Sequence, residues 1–219
     1  MPGRTILLTA AAVGAALVLP SAAGAANSCR AHAARDTVVA QSSTAVVYST
    51  GRPPNRYVSA CTFKARKSFR LPGQDGGDTN SPYSFRLNGR FLAYAVINQE
   101  PASPIAVSSV YSSDLTKRRK LVDVYSGDPA QEQETSTEVK GLVVGSRGAV
   151  AWINESINLA ERWSVHTAAP GGPPAILDRG GDIARRSLAL GGDNRTLYWT
   201  RGGQPKTGSL ARPSSSRPS

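Results

Sequence analysis

Residues that carry chemistry are scarce in this chain. Among 219 residues there are two histidines and two cysteines. Neither H-x-x-x-H nor C-x-x-C spacing occurs, so the usual zinc frameworks are excluded and no metal site is expected. There is no G-x-S-x-G elbow, and no Ser, His and carboxylate are spaced so that a triad can be argued. The pairs Gly171-Gly172 and Gly180-Gly181 lack the Lys and the strand–loop–helix setting of a phosphate loop. No cofactor and no catalytic residue is therefore expected. Spacing does not test for the paired carboxylates of glycoside hydrolysis, whose separation is set in space. His32 lies near the N-terminus, and His166 is expected as an ordinary surface or edge residue of a strand. Aromatics make up only 6% of the chain, so the core must rest on Val, Leu, Ile and Ala.

Long apolar runs are also absent after the first 26 residues, which excludes a later transmembrane helix. Those 26 read as a secretory signal peptide: Arg4, then the charge-free run Ile6 to Leu19, then small residues to Ala26. Cleavage is expected near Ala25 or Ala26. No Cys stands at that site, so a lipid anchor is not expected. Export permits a disulfide, and with two cysteines the one pairing is Cys29 with Cys61. Nothing near either thiol suggests redox activity.

What the chain does contain is a repeat. It is clearest in Ser84 to Val96, SFRLNGRFLAYAV, where two apolar runs flank Asn88-Gly89. That pair predicts a type I′ hairpin with positive φ at both residues. Weaker copies end in AVVY at Tyr48, AVAW at Trp152 and TLYW at Trp199, beside FLAY at Tyr94. The spacing of about 40 to 50 residues, with several strands in each, is that of propeller blades. The longer middle interval is explained by Ser126 to Glu138, a polar surface loop. The first unit reads as strands at Asp36–Gln41, Ala45–Ser49, Arg56–Phe63 and Ser68–Leu71. The second gives Ser84–Leu87, Phe91–Val96, Ile105–Ser113 and Lys120–Tyr125. The third gives Gly141–Val144, Ala149–Ile153, Arg162–Ala168 and Ala175–Asp178. The last gives Ser187–Leu190, Thr196–Thr200 and Lys206–Ala211, with no fourth strand. The segment Asn27–Asp36 is expected to supply it and close the ring. The four aromatics are expected to pack between sheets rather than form a sugar-stacking platform.

The prediction is thus an all-β domain over 27–211, a small β-propeller-like array of about four antiparallel sheets. A disordered Pro/Ser/Arg tail, 212–219, follows it. Asp75, Asp78 and Asn80 lie in a turn and do not match a calcium loop. Two basic turns stand at equivalent places in the first and second units. One holds Lys64, Arg66 and Lys67, and the other Lys117, Arg118, Arg119 and Lys120. On neighbouring blades they should share a rim, and the acidic loop with Asp128, Glu132, Glu134 and Glu138 should offset part of their charge.

The stretches LNGRFLAYAV with SSDLTKRRKLV, VVGSRGAVAWI with AAPGGPPAILD, and LALGGDNRTLYWT resemble repeats of TolB-like and WD40-like propellers. The resemblance covers about residues 36 to 211. The chain is also similar to uncharacterised secreted actinobacterial proteins. It departs from the repeat pattern in having no W-D dipeptide and only about four units. What the resemblance implies is a fold suited to binding, not an activity. With 26 Lys and Arg against 15 Asp and Glu, the net charge is +11. The expectation is a secreted, non-catalytic binding domain that contacts an anionic extracellular polymer or another envelope protein through the two basic turns. Nucleic acid is not expected as a partner. The alternatives are a polysaccharide-acting hydrolase or lyase, and a structural partner that completes its sheet with another chain.

Overall fold

The computed structural model describes Cys29 and residues 36–51, 57–65, 68–71, 80–99, 104–128, 135–157 and 159–212. The expected leader, the side chains of Asp75, Asp78 and Asn80, the turn residues Arg66 and Lys67, the acidic residues Glu132 and Glu134, and the tail beyond Arg212 lie outside them.

Among the described residues fifteen strands form four separate meanders. The first sheet holds β1 (Thr37–Gln41), β2 (Ala45–Thr50), β3 (Tyr57–Thr62) and β4 (Ser68–Arg70). The second holds β5 (Asn80–Asn88), β6 (Phe91–Gln99), β7 (Ala106–Asp114) and β8 (Arg119–Tyr125). The third holds β9 (Thr137–Val144), β10 (Val150–Ser156), β11 (Trp163–Ala168) and β12 (Pro174–Gly180). The last has three strands, β13 (Ala189–Leu190), β14 (Thr196–Arg201) and β15 (Gln204–Ser209). Within each sheet every strand pairs antiparallel with the next in sequence. The first strands lie side by side, β1 against β5, β5 against β9 and β9 against β13. This is the arrangement of propeller blades, and every strand expected from the repeat is present.

The repeat ending in Ala and an aromatic has a packing reason. Successive side chains on a strand point to opposite faces, so Tyr94 and its neighbours Ala93 and Ala95 face different sheets. Tyr94 packs among Ala45, Val47 and Ala60 of the first sheet. Ala93, Ala95 and Val110 on the other face receive Trp152 of the third sheet. Ala151, Ile153 and Val165 in turn receive Trp199 of the last. Each sheet therefore presents a large ring to the sheet before it and small residues to the sheet after it. Tyr48 occupies the same place in the first sheet and packs on Cys61 and Cys29 instead. All four rings are buried, between 0% and 5% exposed. That excludes a sugar-stacking platform built from them.

Cys29 bonds to Cys61 of β3. Of the segment expected to complete the last sheet, Cys29 and Asp36 are described, and Cys29 is fastened to the first sheet. Among the described residues no fourth strand pairs with β15.

Three expectations are corrected. The hairpin at the second sheet has positive φ at Gly89 and not at Asn88. Asn88 pairs with Phe91, so the turn residues are Gly89 and Arg90. A positive φ at the first turn position alone is the type II′ pattern. Asn88 instead donates its amide to the Val144 carbonyl at 3.0 Å and to Asn194 Oδ1 at 2.6 Å, which ties three first turns together. Second, β5 starts at Asn80 and includes Pro82. It is an edge strand, where a missing N–H is tolerated, and a bulge between Tyr83 and Arg86 holds Ser84 at φ 54°.

Third, the ends of the loop from Ser126 to Glu138 are not surface loop. Ser126, Thr135 and Thr137 are buried. The Trp152 indole donates to the Ser126 carbonyl at 2.6 Å. The Ser126 hydroxyl reaches Thr137 Oγ1 and Asn154 Oδ1. Ser108 donates its backbone N–H to Thr137 Oγ1 and its hydroxyl to the Thr137 carbonyl. A buried polar group costs free energy unless paired, and this network pairs them across two sheets.

Candidate functional site

A four-strand meander sorts its connections by parity. The first and third turns of each sheet lie at one end, and the second turns and the links between sheets lie at the other. At the first end, which we call the hairpin end, the turns between β1 and β2, β5 and β6, β9 and β10, and β13 and β14 meet. Ser42 donates to the Gly89 carbonyl at 3.0 Å, and Asn88 makes the contacts given above. The turns between β3 and β4, β7 and β8, and β11 and β12 share this end.

Both basic turns therefore project from the same rim, as parity requires. Lys64, Lys117, Arg118, Arg119 and Lys120 are exposed. The turns are adjacent, because the Arg118 guanidinium lies 5.8 Å from the ring centre of Phe69 on β4. Among the described residues, Lys120 differs from the rest of the group in having a carboxylate partner. It pairs with Asp123, and that hydrogen bond raises its pKa.

Three more arginines stand in first turns at this end. Arg90, Arg147 and Arg195 occupy the first turns of the second, third and last sheets, and all are exposed. Sequence reasoning missed them, although each follows the Asn, Ser or Gly pair that marks its turn. The periodic signal was present in Asn88-Gly89-Arg90, Gly145-Ser146-Arg147 and Asp193-Asn194-Arg195.

Two carboxylates at this end are occupied by the backbone. Asp114, 3% exposed, accepts the N–H groups of Thr116 at 3.0 Å and Lys117 at 3.2 Å. It also pairs with Arg90 at 3.3 Å, so it orders the basic turn and one arginine together. Asp193 accepts the Thr196 hydroxyl at 2.6 Å and the N–H groups of Thr196 and Arg195 at 2.9 Å. The Thr196 hydroxyl, then these N–H groups, bring its pKa down to about 2. Among the described residues, Lys64, Lys117, Arg119, Arg147, Arg195 and Arg212 form no salt bridge.

The opposite end differs. There Arg162 and Lys140 pair with Glu155, Lys140 also with Glu138, Arg179 with Asp128 at 2.7 Å, and Arg201 with Asp178 and Asp182. Asp128 and Glu138 belong to the acidic loop that was expected to offset the basic turns. That loop links β8 to β9, so parity places its described ends at the far end, and they neutralise Arg179 and Lys140 instead.

His166 is corrected too. It is 1% exposed, stacked on Trp152 with ring centres 5.2 Å apart, and its Nε2 lies 2.6 Å from Ser164 Oγ. Burial first, and then Arg179, bring its pKa down to about 4. This Ser–His contact sits beside a far-end cleft of about 210 Å³ lined by Asp128, Glu161 and Arg179. Its Nδ1 is buried without a partner among the described residues. A buried N–H without an acceptor costs more than an idle lone pair, so the proton belongs on Nε2, donated to Ser164. A histidine in that tautomer is not poised to take the serine proton. Asp128 in the same cleft is tied to Arg179.

The fold places this chain in the class of propeller-like β proteins. No protein-family model and no curated protein matches it. Solved structures similar to it include TolB from Acinetobacter baumannii, at 12% identity and TM-score 0.40, covering 77% of this chain and 38% of that one. Kuenenia stuttgartiensis hydrazine synthase is similar at 15% and 0.42, covering 71% and 46%. A nidogen/laminin complex chain is similar at 16% and 0.41, covering 75% and 60%. The chain spans less than two thirds of each of these, and the propeller-like reading rests on its own strand order and blade packing.

Proposed function

We propose that this is a secreted, non-catalytic binding domain that holds an anionic cell-envelope polymer on its hairpin end. The observation that supports it most is the imbalance between the ends. Among the described residues, toward the far end Arg162, Lys140, Arg179 and Arg201 pair with carboxylates and Arg185 and Arg186 do not, whereas at the hairpin end six cations, Lys64, Lys117, Arg119, Arg147, Arg195 and Arg212, form no salt bridge. Like charges crowded together repel, and an anionic partner relieves that repulsion while gaining from it. The Cys29–Cys61 disulfide suits the oxidising surroundings of an exported protein. The leader read in residues 1–26 points the same way.

The test is retention on anionic wall material as salt is raised. The triple variant Lys64→Glu, Lys117→Glu, Arg119→Glu should elute at markedly lower salt than the parent, since exposed charges are screened over about 10 Å at 0.1 M salt. Equal retention of the two overturns the reading.

The three-stranded last sheet favours a second reading, in which another chain adds a strand beside β15. A monomer by light scattering, alone and with envelope extract, counts against it.

A further inference from the structure

The hairpin end contains two clefts that meet at one residue. The first, about 500 Å³, lies between the second and third sheets and is lined by Arg90, Lys117, Arg119 and Arg147, with Asp114 tied to Arg90 and the turn backbone. The second, about 550 Å³, lies between the third and last sheets and is lined by Arg147, Arg195 and Arg212, with Asp193 turned to the backbone N–H groups of Arg195 and Thr196. Arg147 and its neighbour Ser146 line both.

The turn that carries Arg147 is held tightly between the flanking sheets. A Cβ on Gly145 would stand 2.4 Å from Leu210 Cδ2 of the last sheet's edge. One on Gly148, which has φ +84°, would stand 2.3 Å from Leu121 Cδ1 of β8. The Gly148 N–H closes the turn on the Gly145 carbonyl at 3.0 Å. A side chain at either glycine would have to push a leucine end aside, and at Gly148 the positive φ would strain it as well. The turn that bears Arg147 is thus seated between the flanking sheets, at the junction of the clefts. The floor beneath is apolar, with Phe91 and Leu121 on one side and Ala149 and Leu210 on the other.

From this geometry we infer that the two clefts form one groove for a linear polyanion, with Arg147 as the cation shared by both halves. The inference rests on the anion-binding reading above and sharpens it to a ligand shape. A small anion can satisfy one or two guanidinium groups and leaves the others repelling. A chain with an anionic group on each repeat engages both clefts, and the second engagement is intramolecular. Affinity should then rise steeply once the chain is long enough to reach across Arg147.

The experiment measures binding of the full chain to two length series, alginate oligomers for carboxylate and inorganic polyphosphate for phosphate. In the series that matches the natural chemistry, an oligomer of about sixteen units should bind at least about tenfold tighter than one of two units. Arg147→Glu should remove most of that length advantage. Arg147→Gln should remove part of it, with an unchanged melting temperature showing that the fold is intact. Arg186→Glu makes the same charge change at an exposed far-end position and should leave the advantage in place. The proposal is overturned if neither series shows a length advantage, or if Arg147→Glu acts no more strongly than Arg186→Glu. If Lys117→Glu with Arg119→Glu weakens the long oligomer and Arg147→Glu does not, the groove fails while the basic rim survives. If neither variant weakens it, both readings fail.

Discussion

The two ends of this molecule are built from the same strands and differ in how their charges are met. At the far end Glu155, 6% exposed at its side chain, takes both Arg162 and Lys140, and Asp178 and Asp182 share Arg201. At the hairpin end the nearby carboxylates Asp114 and Asp193 face turn backbone, and most of the arginines and lysines around them are left to solvent. The lesson is that an acidic residue's sequence neighbours do not decide which cations it neutralises. The meander decides, by sending alternate connections to opposite ends.

This contrast can be broken from the inside. Trp152 fills the space between the second and third sheets and donates to the Ser126 carbonyl, so both ends depend on it. Trp152→Ala should cost about 3–5 kcal/mol, measured by denaturant unfolding. A loss under 1 kcal/mol would mean the sheets do not rely on that ring.

Between about pH 6.5 and 4 the far end should be the more pH-sensitive one. The folded His166 has a pKa of about 4 against an ordinary 6.5. Because the unfolded chain takes the proton first, stability is full above about pH 6.5 and is lost as pH falls toward 4. The loss should approach about 3 kcal/mol. His166→Phe keeps a ring against Trp152 and removes the titration, so its stability should stay flatter over that window. An unchanged slope would assign the pH dependence to other groups.

A charge substitution should then cost differently at each end. Glu155→Gln leaves Arg162 and Lys140 without their shared partner and should cost about 1–3 kcal/mol. It should also add retention on anionic material at an end that had little. Arg147→Gln, with no salt bridge to lose, should shift stability by no more than about 0.5 kcal/mol while weakening polyanion binding. Similar stability losses from the two would erase the distinction between the ends.

Much of the architecture was legible because strand alternation and turn chemistry are local. Ala93-Tyr94-Ala95 announces a strand that faces two sheets, and the glycine turns mark the hairpins. The site was legible in part. Lys64, Lys117 and Arg118 stand in turns at one end, as read, while Arg119 and Lys120 already belong to β8. Arg90 was hidden by a one-residue error in the turn, since Asn88 was assigned to the tip when it reaches across to Val144 and Asn194. His166 was read as exposed because nothing in Val165-His166-Thr167 reveals that Trp152 pairs opposite it.

The sequence alone determined that this chain forms repeated antiparallel sheets, because side-chain alternation, small-residue faces and glycine-bearing turns act over a few residues. It also determined the excess of basic charge, which is a sum and needs no geometry. Only the tertiary structure decided where that excess stays uncompensated. Salt bridges require separations of a few ångströms, and those distances are fixed by which turns the stacked sheets bring together.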